Sequence, residues 1–414
     1  MKKSIQTIAI IGGGPAGSAL ACHLLKRGLT VVLFDDGARP ELIVGESLIP
    51  VILPMLDRLG VRERVAAIGQ RKPGVAFTFG EHQTIAFNFQ AVSRCKLPTF
   101  AYNVPRPAFD QVIQDRATEL GVVRIPIRAK LERVEKDGVR LSAETLAAAP
   151  TLNGTQPDLI VDASGRSRAV AHLLEIPARV GPRKDVAYFA HYRGFEEEKP
   201  RGIVTITRLA AGWSWRIPLP DKLSVGVVLN REEAARLGAT PEERLEAVIA
   251  RDPVLAPAGV NRERVSKVMT YTNYQLISER GYGPGWAMLG DAFGFVDPML
   301  SPGLMLALRS AELLAEHLNE PEKYAQKMEE WLKAWQELIG YFYNGQMFAM
   351  YQTGMSFERK YPGRITRFMH THMERNIACM ASGASTLSRY SRGLVKFMSR
   401  HGVRDVDPAD LAIA

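Results

Sequence analysis

Cysteine is scarce in this sequence. Cys22, Cys95 and Cys379 are the only three in 414 residues, far apart and with no CxxC pair. That excludes a cysteine-based zinc site and a disulfide framework, and a reducing, cytoplasmic compartment is expected. Long apolar runs are also lacking, so no membrane span is expected. Met1-Lys2-Lys3 followed by apolar sequence to Leu25 has the outline of a secretory signal, but Gly12, Gly13, Gly14, Pro15 and Gly17 interrupt the apolar stretch such a signal needs. Repeats and low-complexity tracts are absent. Acid is what the C-terminal part lacks. Between Arg359 and Arg404 stand ten basic residues and one acid, Glu374, a net +9 that equals the charge of the whole chain. Such a segment is either a solvated helical face or a docking surface for an acidic partner. No recognition motif for nucleic acid accompanies it.

With 46% hydrophobic and 23% charged residues, the chain is a globular protein with room for two or three packed units. Thr7–Ile11 reads as a buried strand, Ala16–Arg27 as a helix closed by Gly28, and Thr30–Asp35 as the next strand. This βαβ unit implies a parallel sheet. A helix is expected over Leu53–Ile68, strands near Gly74–Phe79 and Thr84–Phe89, a helix over Phe109–Leu120, a hairpin turning at Asp137-Gly138, and a buried strand at Leu159–Asp162. From Val186 to Asn230 strands follow one another, which suggests a separate sheet layer. Trp286–Leu289 reads as a strand returning to the first unit, and the chain is helical from Pro302 onward. The fold class is therefore α/β with added antiparallel sheet (α+β). A Rossmann-like nucleotide-binding domain (1–180 and 265–320) holds an inserted sheet-based substrate domain (181–264) and is followed by a helical region (321–414).

Gly12-x-Gly14-x-x-Gly17 lies between strand and helix. The first glycine makes the tight turn, the second lets backbone approach a pyrophosphate, and the third lets helix and strand pack closely. Ala16 opens the helix whose N-terminal amides face the phosphates. Asp35 ends the next strand, 23 residues after Gly12, where a ribose hydroxyl is bound. Asp162-Ala-Ser-Gly165 and Gly290-Asp291 end two further strands, and Arg106 supplies a cation for a diphosphate. Together these stations resemble the superfamily of FAD-dependent monooxygenases, halogenases and prenyl reductases, which implies non-covalent FAD.

Trp213-Ser-Trp215-Arg-Ile217-Pro218 narrows the field. Strand alternation puts Trp213, Trp215 and Ile217 on one face, either as sheet core or as a wall. The segment matches the WxWxIP motif of flavin-dependent halogenases, and Phe295-Val-Asp-Pro298-Met-Leu-Ser301-Pro-Gly303 matches their FxxPxxSxG motif. This resemblance implies a wall that keeps organic substrate from the flavin. It also implies a halide site at Ser301 and Gly303, with Ser301 as N-cap and Pro302 as first residue of the next helix. Lys72, in Arg71-Lys72-Pro-Gly-Val-Ala-Phe-Thr-Phe-Gly80, resembles the family lysine that receives hypohalous acid and delivers electrophilic halogen. Gly45-Glu46-Ser47 resembles the GES segment.

The glutamate-rich EPLES stretch of free-tryptophan halogenases is replaced here by Asp297-Pro-Met-Leu-Ser301. That departure is closer to the phenol- or pyrrole-directed branch, whose members often act on carrier-bound substrates. The resemblance implies reduced FAD (FADH2) supplied by a separate reductase, chloride or bromide as co-substrate, no metal, and an acidic carrier protein meeting Arg359–Arg404. A monooxygenase of the same fold, or a non-catalytic FAD-binding protein, are the alternatives.

Overall fold

A computed structural model of the chain describes residues 5–79, 83–196, 199–273, 275–404 and 406–413. Met1, Lys2, Lys3 and Gly80 of the segments above lie outside them. Strand β1 (Thr7–Ile11) is an apolar run with Ile8–Ile11 buried, as a strand covered on both faces requires. Helix α1 (Pro15–Leu25) and strand β2 (Thr30–Phe34) complete the first βαβ unit. The six-stranded sheet built on it runs Tyr282–Gly283, Trp286–Met288, Leu159–Asp162, β1, β2, Val123–Ile125. It is parallel except at its Tyr282–Gly283 edge.

Helix expectations hold with local shifts. Leu53–Ile68 is two helices, Ile52–Leu59 and Arg62–Ile68, because Gly60 takes a left-handed φ of 80° and closes the first. The helix expected from Phe109 begins at Arg106 and runs to Glu119, entered from Pro105.

The second sheet is larger than the segment that suggested it. Strands β3 (Gly74–Phe79), β4 (Gln83–Asn88), β5 (Asp185–Arg193), β6 (Val204–Leu209), β7 (Gly212–Pro218) and β8 (Leu223–Asn230) lie in the order β5-β8-β7-β6-β3-β4. Glu263–Arg264 and Met269–Asn273 both pair with β5. All pairs are antiparallel except β6 with β3. Strands β3 and β4, expected in the nucleotide-binding part, thus complete a sheet expected from 181–264 alone. The sheet is buried on both faces. Tyr188, Tyr192, Val225 and Val227 form a core with Leu245, Val248 and Ile249 of the helix Pro241–Arg251, while Phe189, Trp213 and Trp215 belong to the main core.

From Gly303 the chain is helical: α2 (Gly303–Glu316), α3 (Pro321–Tyr343), α4 (Gln346–Lys360), α5 (Arg364–Ala381) and α6 (Arg389–His401). Among the described residues no helix is long and apolar enough to cross a membrane, and no cluster of metal-ligating side chains occurs.

Candidate active site

A cavity of about 490 Å³ lies between the two sheets. One wall is the turn after β1. Gly12 has a φ of 110°, and a Cβ there would sit 2.4 Å from the Ala163 carbonyl oxygen; a Cβ on Gly17 would sit 2.1 Å from the Gly12 carbonyl oxygen. Only glycine lets the turn and α1 close against the neighbouring strand end. Gly14, by contrast, has nothing within 4 Å of its would-be Cβ. It lines the cavity beside Gly12, Ala16, Gly165 and Arg106. Arg39, Arg106 and Arg166 all line it, a cationic set suited to a diphosphate. Arg106 is held by Asp110 at 3.0 and 3.2 Å and by the Val44 carbonyl. The half-buried Asp291 faces the cavity, and burial pushes its carboxyl up to about 6, against the pull of Arg166 and Arg106. These features fit FAD.

Two expected acids are placed differently. The Asp35 carboxylate is bonded to Arg39 and Arg124 at 2.9–3.1 Å and does not line the cavity. That of Asp162 accepts from the amides of Ser164 and Val170 at 3.0 and 2.8 Å, capping the following turns.

The opposite wall is the second sheet, and cross-strand register orders its side chains into rows. Ala187 aligns with Val228 and Trp213, Phe189 with Gly226 and Trp215, and His191 with Ser224 and Ile217. Trp213, Trp215 and Ile217 share the cavity face with Ala187 and Phe189. Pro218 turns away, its carbonyl accepting from Asn103 at 3.0 Å. The indoles lie 5.6 Å apart at 44°. Gly226 makes room for Trp215, since a Cβ there would sit 2.2 Å from the indole. Trp213 Nε1 donates to Tyr343 Oη, which donates to Asp297 Oδ2, both at 2.8 Å. One end of the aromatic wall is thereby fastened to the Phe295–Gly303 loop.

Phe295, Pro298, Ser301 and Gly303 of that loop line the cavity. Ser301 is not the N-cap expected of it. It sits at a φ of 56°, closing the turn Pro298–Leu300, so Pro302 takes the cap position without a side-chain bond and α2 starts at Gly303. The uncapped first-turn amides of α2 thus open beside the cavity at Gly303 and Leu304.

Lys72 is only 1% exposed and lies behind Ser47, outside the cavity lining. Its Nζ donates to Ser47 Oγ at 2.7 Å and to the Leu48 carbonyl at 2.9 Å, and sits 5.2 Å from the centre of the Phe89 ring. These partners are all neutral, and burial pulls the amine down to about 7. Ser47 itself lines the cavity, so one hydroxyl separates it from the amine. Glu46 lines it too, its carboxylate held by buried His191 Nε2 at 2.7 Å. The sequence reading missed His191, Tyr343, Gly226 and Arg166. Only Arg166, directly after Gly165, had a local signal.

Residues 7–98 and 81–353 match the family model described as tryptophan halogenase. The tryptophan 2-halogenase of Chondromyces crocatus is 32% identical over 322 residues, 75% of this chain and 60% of that protein. This chain therefore spans less than two thirds of that relative. A 1H-pyrrole-2-carbonyl-[peptidyl-carrier protein] brominase of Pseudoalteromonas luteoviolacea (strain 2ta16) is 28% identical over 324 residues, 76% of this chain and 77% of that protein. The structure of the flavin-dependent brominase Bmp2 superposes with a TM-score of 0.72 at 23% identity, covering 96% of this chain and 98% of that one, which establishes a shared fold.

Proposed function

The chain belongs to the tryptophan halogenase family, and from that premise we propose that it is a flavin-dependent halogenase acting on an electron-rich aromatic ring. One observation carries the reading: a buried lysine amine with no counter-ion among the described residues stands one hydroxyl from a cavity walled by Trp213 and Trp215. The glycine turn, Arg106 and Asp291 would hold FAD, and the amides at Gly303 with Ser301 would hold chloride or bromide. Reduced FAD, when bound, supplies with O2 the oxidation of halide to hypohalous acid.

The chain's own residues do the rest. Trp213, Trp215 and Ile217 exclude water and arenes from the oxidising chamber. Ser47 and the Leu48 carbonyl orient the amine of Lys72. In its neutral form that amine meets HOX through a hydrogen bond, or displaces hydroxide to give N–X and water; the arene then takes X and returns a proton to nitrogen. The balance is HOX plus ArH to ArX plus water.

A separate reductase would supply the reduced flavin in the cytoplasm. An acidic carrier protein would present the ring to the basic segment Arg359–Arg404, as the name of the pyrrole relative suggests. The same reading assigns 1–180 with 265–320 to flavin, 181–264 with β3 and β4 to the substrate side, and 321–414 to the helical part.

The test is incubation with a flavin reductase, FAD, bromide and a pyrrole, phenol or indole, read by mass spectrometry. A brominated product from the wild type, lost in Lys72→Ala while hypohalite and FAD binding persist, is expected. A product gaining only oxygen would make the chain a monooxygenase instead. Tight FAD binding with no oxygen consumption would make it a non-catalytic flavoprotein.

A further inference from the structure

Cys95 and Cys379, 284 residues apart in sequence, meet in the fold with their Sγ atoms 2.9 Å apart, both as free thiols. Cys95 ends the 3₁₀ segment Phe89–Cys95, and Cys379 lies in the last turn of α5. Cys379 is buried and its Sγ also approaches the Ala91 carbonyl, at 4.0 Å, while Cys95 is half-exposed. The third cysteine, Cys22, is buried in α1.

We propose that Cys95 and Cys379 form a modification site that hydrogen peroxide converts into an intramolecular disulfide. A bonded pair stands about 2.05 Å apart, so closure asks for less than about 1 Å of movement. Cys95, the less buried of the two, meets the oxidant first. It attacks one peroxide oxygen, the O–O bond breaks, and water leaves a sulfenic acid on Cys95. The sulfur of Cys379 then displaces that hydroxyl as a second water, giving up its own proton. Two thiols lose two electrons and two protons, and peroxide takes them as two waters. Burial and the neighbouring sulfur push the Cys379 thiol up to about 12, so it is protonated when the oxidant arrives.

The bond has a structural consequence. The segment it clamps begins at Phe89, whose ring packs on the Lys72 amine, and α5 carries the exposed Ile365 and Phe368. Oxidation would tie the surroundings of the lysine to the basic helical surface. The site itself does not depend on what reaction the chain performs.

The test treats the reduced 414-residue chain with a slight excess of hydrogen peroxide. Free thiols should fall from the three in the sequence to one. The mass should fall by about 2 Da for the two hydrogens lost, non-reducing peptide mapping should join Cys95 to Cys379, and dithiothreitol should reverse all three changes. Amide exchange over 89–95 and 376–381 should slow. Cys22→Ser should behave likewise with one thiol fewer, and Cys95→Ser should keep both remaining thiols. Three surviving thiols, sulfinic acid on Cys95, a bond between two chains, or unchanged exchange in the linked protein would each overturn the proposal.

Discussion

Lys72 is the residue whose surroundings make the sharpest statement. Its amine is drawn from an ordinary 10.5 down to about 7, so near neutrality it is neutral or charged in comparable amounts. If the neutral amine carries halogen, transfer from preformed hypohalous acid should rise with pH through about 7, and Lys72→Arg should be inactive throughout because its guanidinium stays charged. Stability follows the same titration. Between about 7 and 10.5 the unfolded chain binds more protons at this residue than the folded one, so its contribution rises with pH across that window. It contributes up to about 1.4 kcal/mol per pH unit. Urea unfolding of Lys72→Met beside wild type at several pH values should show the difference growing in the wild type's favour from 7 upward; a flat difference would mean the amine is not shifted.

Tyr343 is the second residue of consequence. Its hydroxyl links Trp213 to Asp297. Tyr343→Phe leaves both partners buried and short of a bond, a loss of about 1–3 kcal/mol. Thermal denaturation should register it, and the fraction of reduced flavin consumed without product should rise as the wall loosens from the loop.

At the scale of the element, β7 was readable because alternation is a local property: Trp213, Trp215 and Ile217 do share the cavity face. Its partners were not readable. Phe189 and Gly226 reach Trp215 through a register that two neighbouring strands set together, and no pattern within β5 or β8 announces it. Gly226→Ala puts a methyl 2.2 Å from the indole and 2.6 Å from Phe189 Cβ, overpacking that should cost about 1–3 kcal/mol. Adding Trp215→Phe should restore part of that loss, so the double mutant should be more stable than the two single losses summed. The same limit explains Ser301. A serine before a proline reads as a helix cap, but the preceding Pro298–Leu300 turn consumes it in a left-handed conformation. Asp35 and Asp162 end the expected strands, yet Arg39, Arg124 and local amides, invisible as partners from sequence, hold their carboxylates.

At the scale of the molecule, distant segments assemble what each alone left incomplete. Strands β3 and β4 join β5–β8 in one sheet, and the cysteines that sequence spacing separated come into contact. The basic segment is the feature for which position in the fold adds most to composition. Arg364, Arg389 and Lys396 are exposed on α5 and α6, and no ion pair is described for them. Beside them Ile365 is 78% and Phe368 66% exposed. A solvated face has no need of uncovered aromatic and aliphatic side chains, whereas a protein-docking face combines an apolar centre with a charged rim. Two copies of this chain would bring like charge against like charge, so an acidic partner fits better. Arg364→Glu combined with Arg389→Glu, neither residue being in the cavity, should raise the KM for a carrier-bound ring at least tenfold and leave kcat/KM for a small free ring unchanged. Raising the salt from 50 to about 500 mM should imitate the double substitution in the wild type by screening the attraction. Equal losses on both substrates would place the defect in the active site and remove the docking role from this surface.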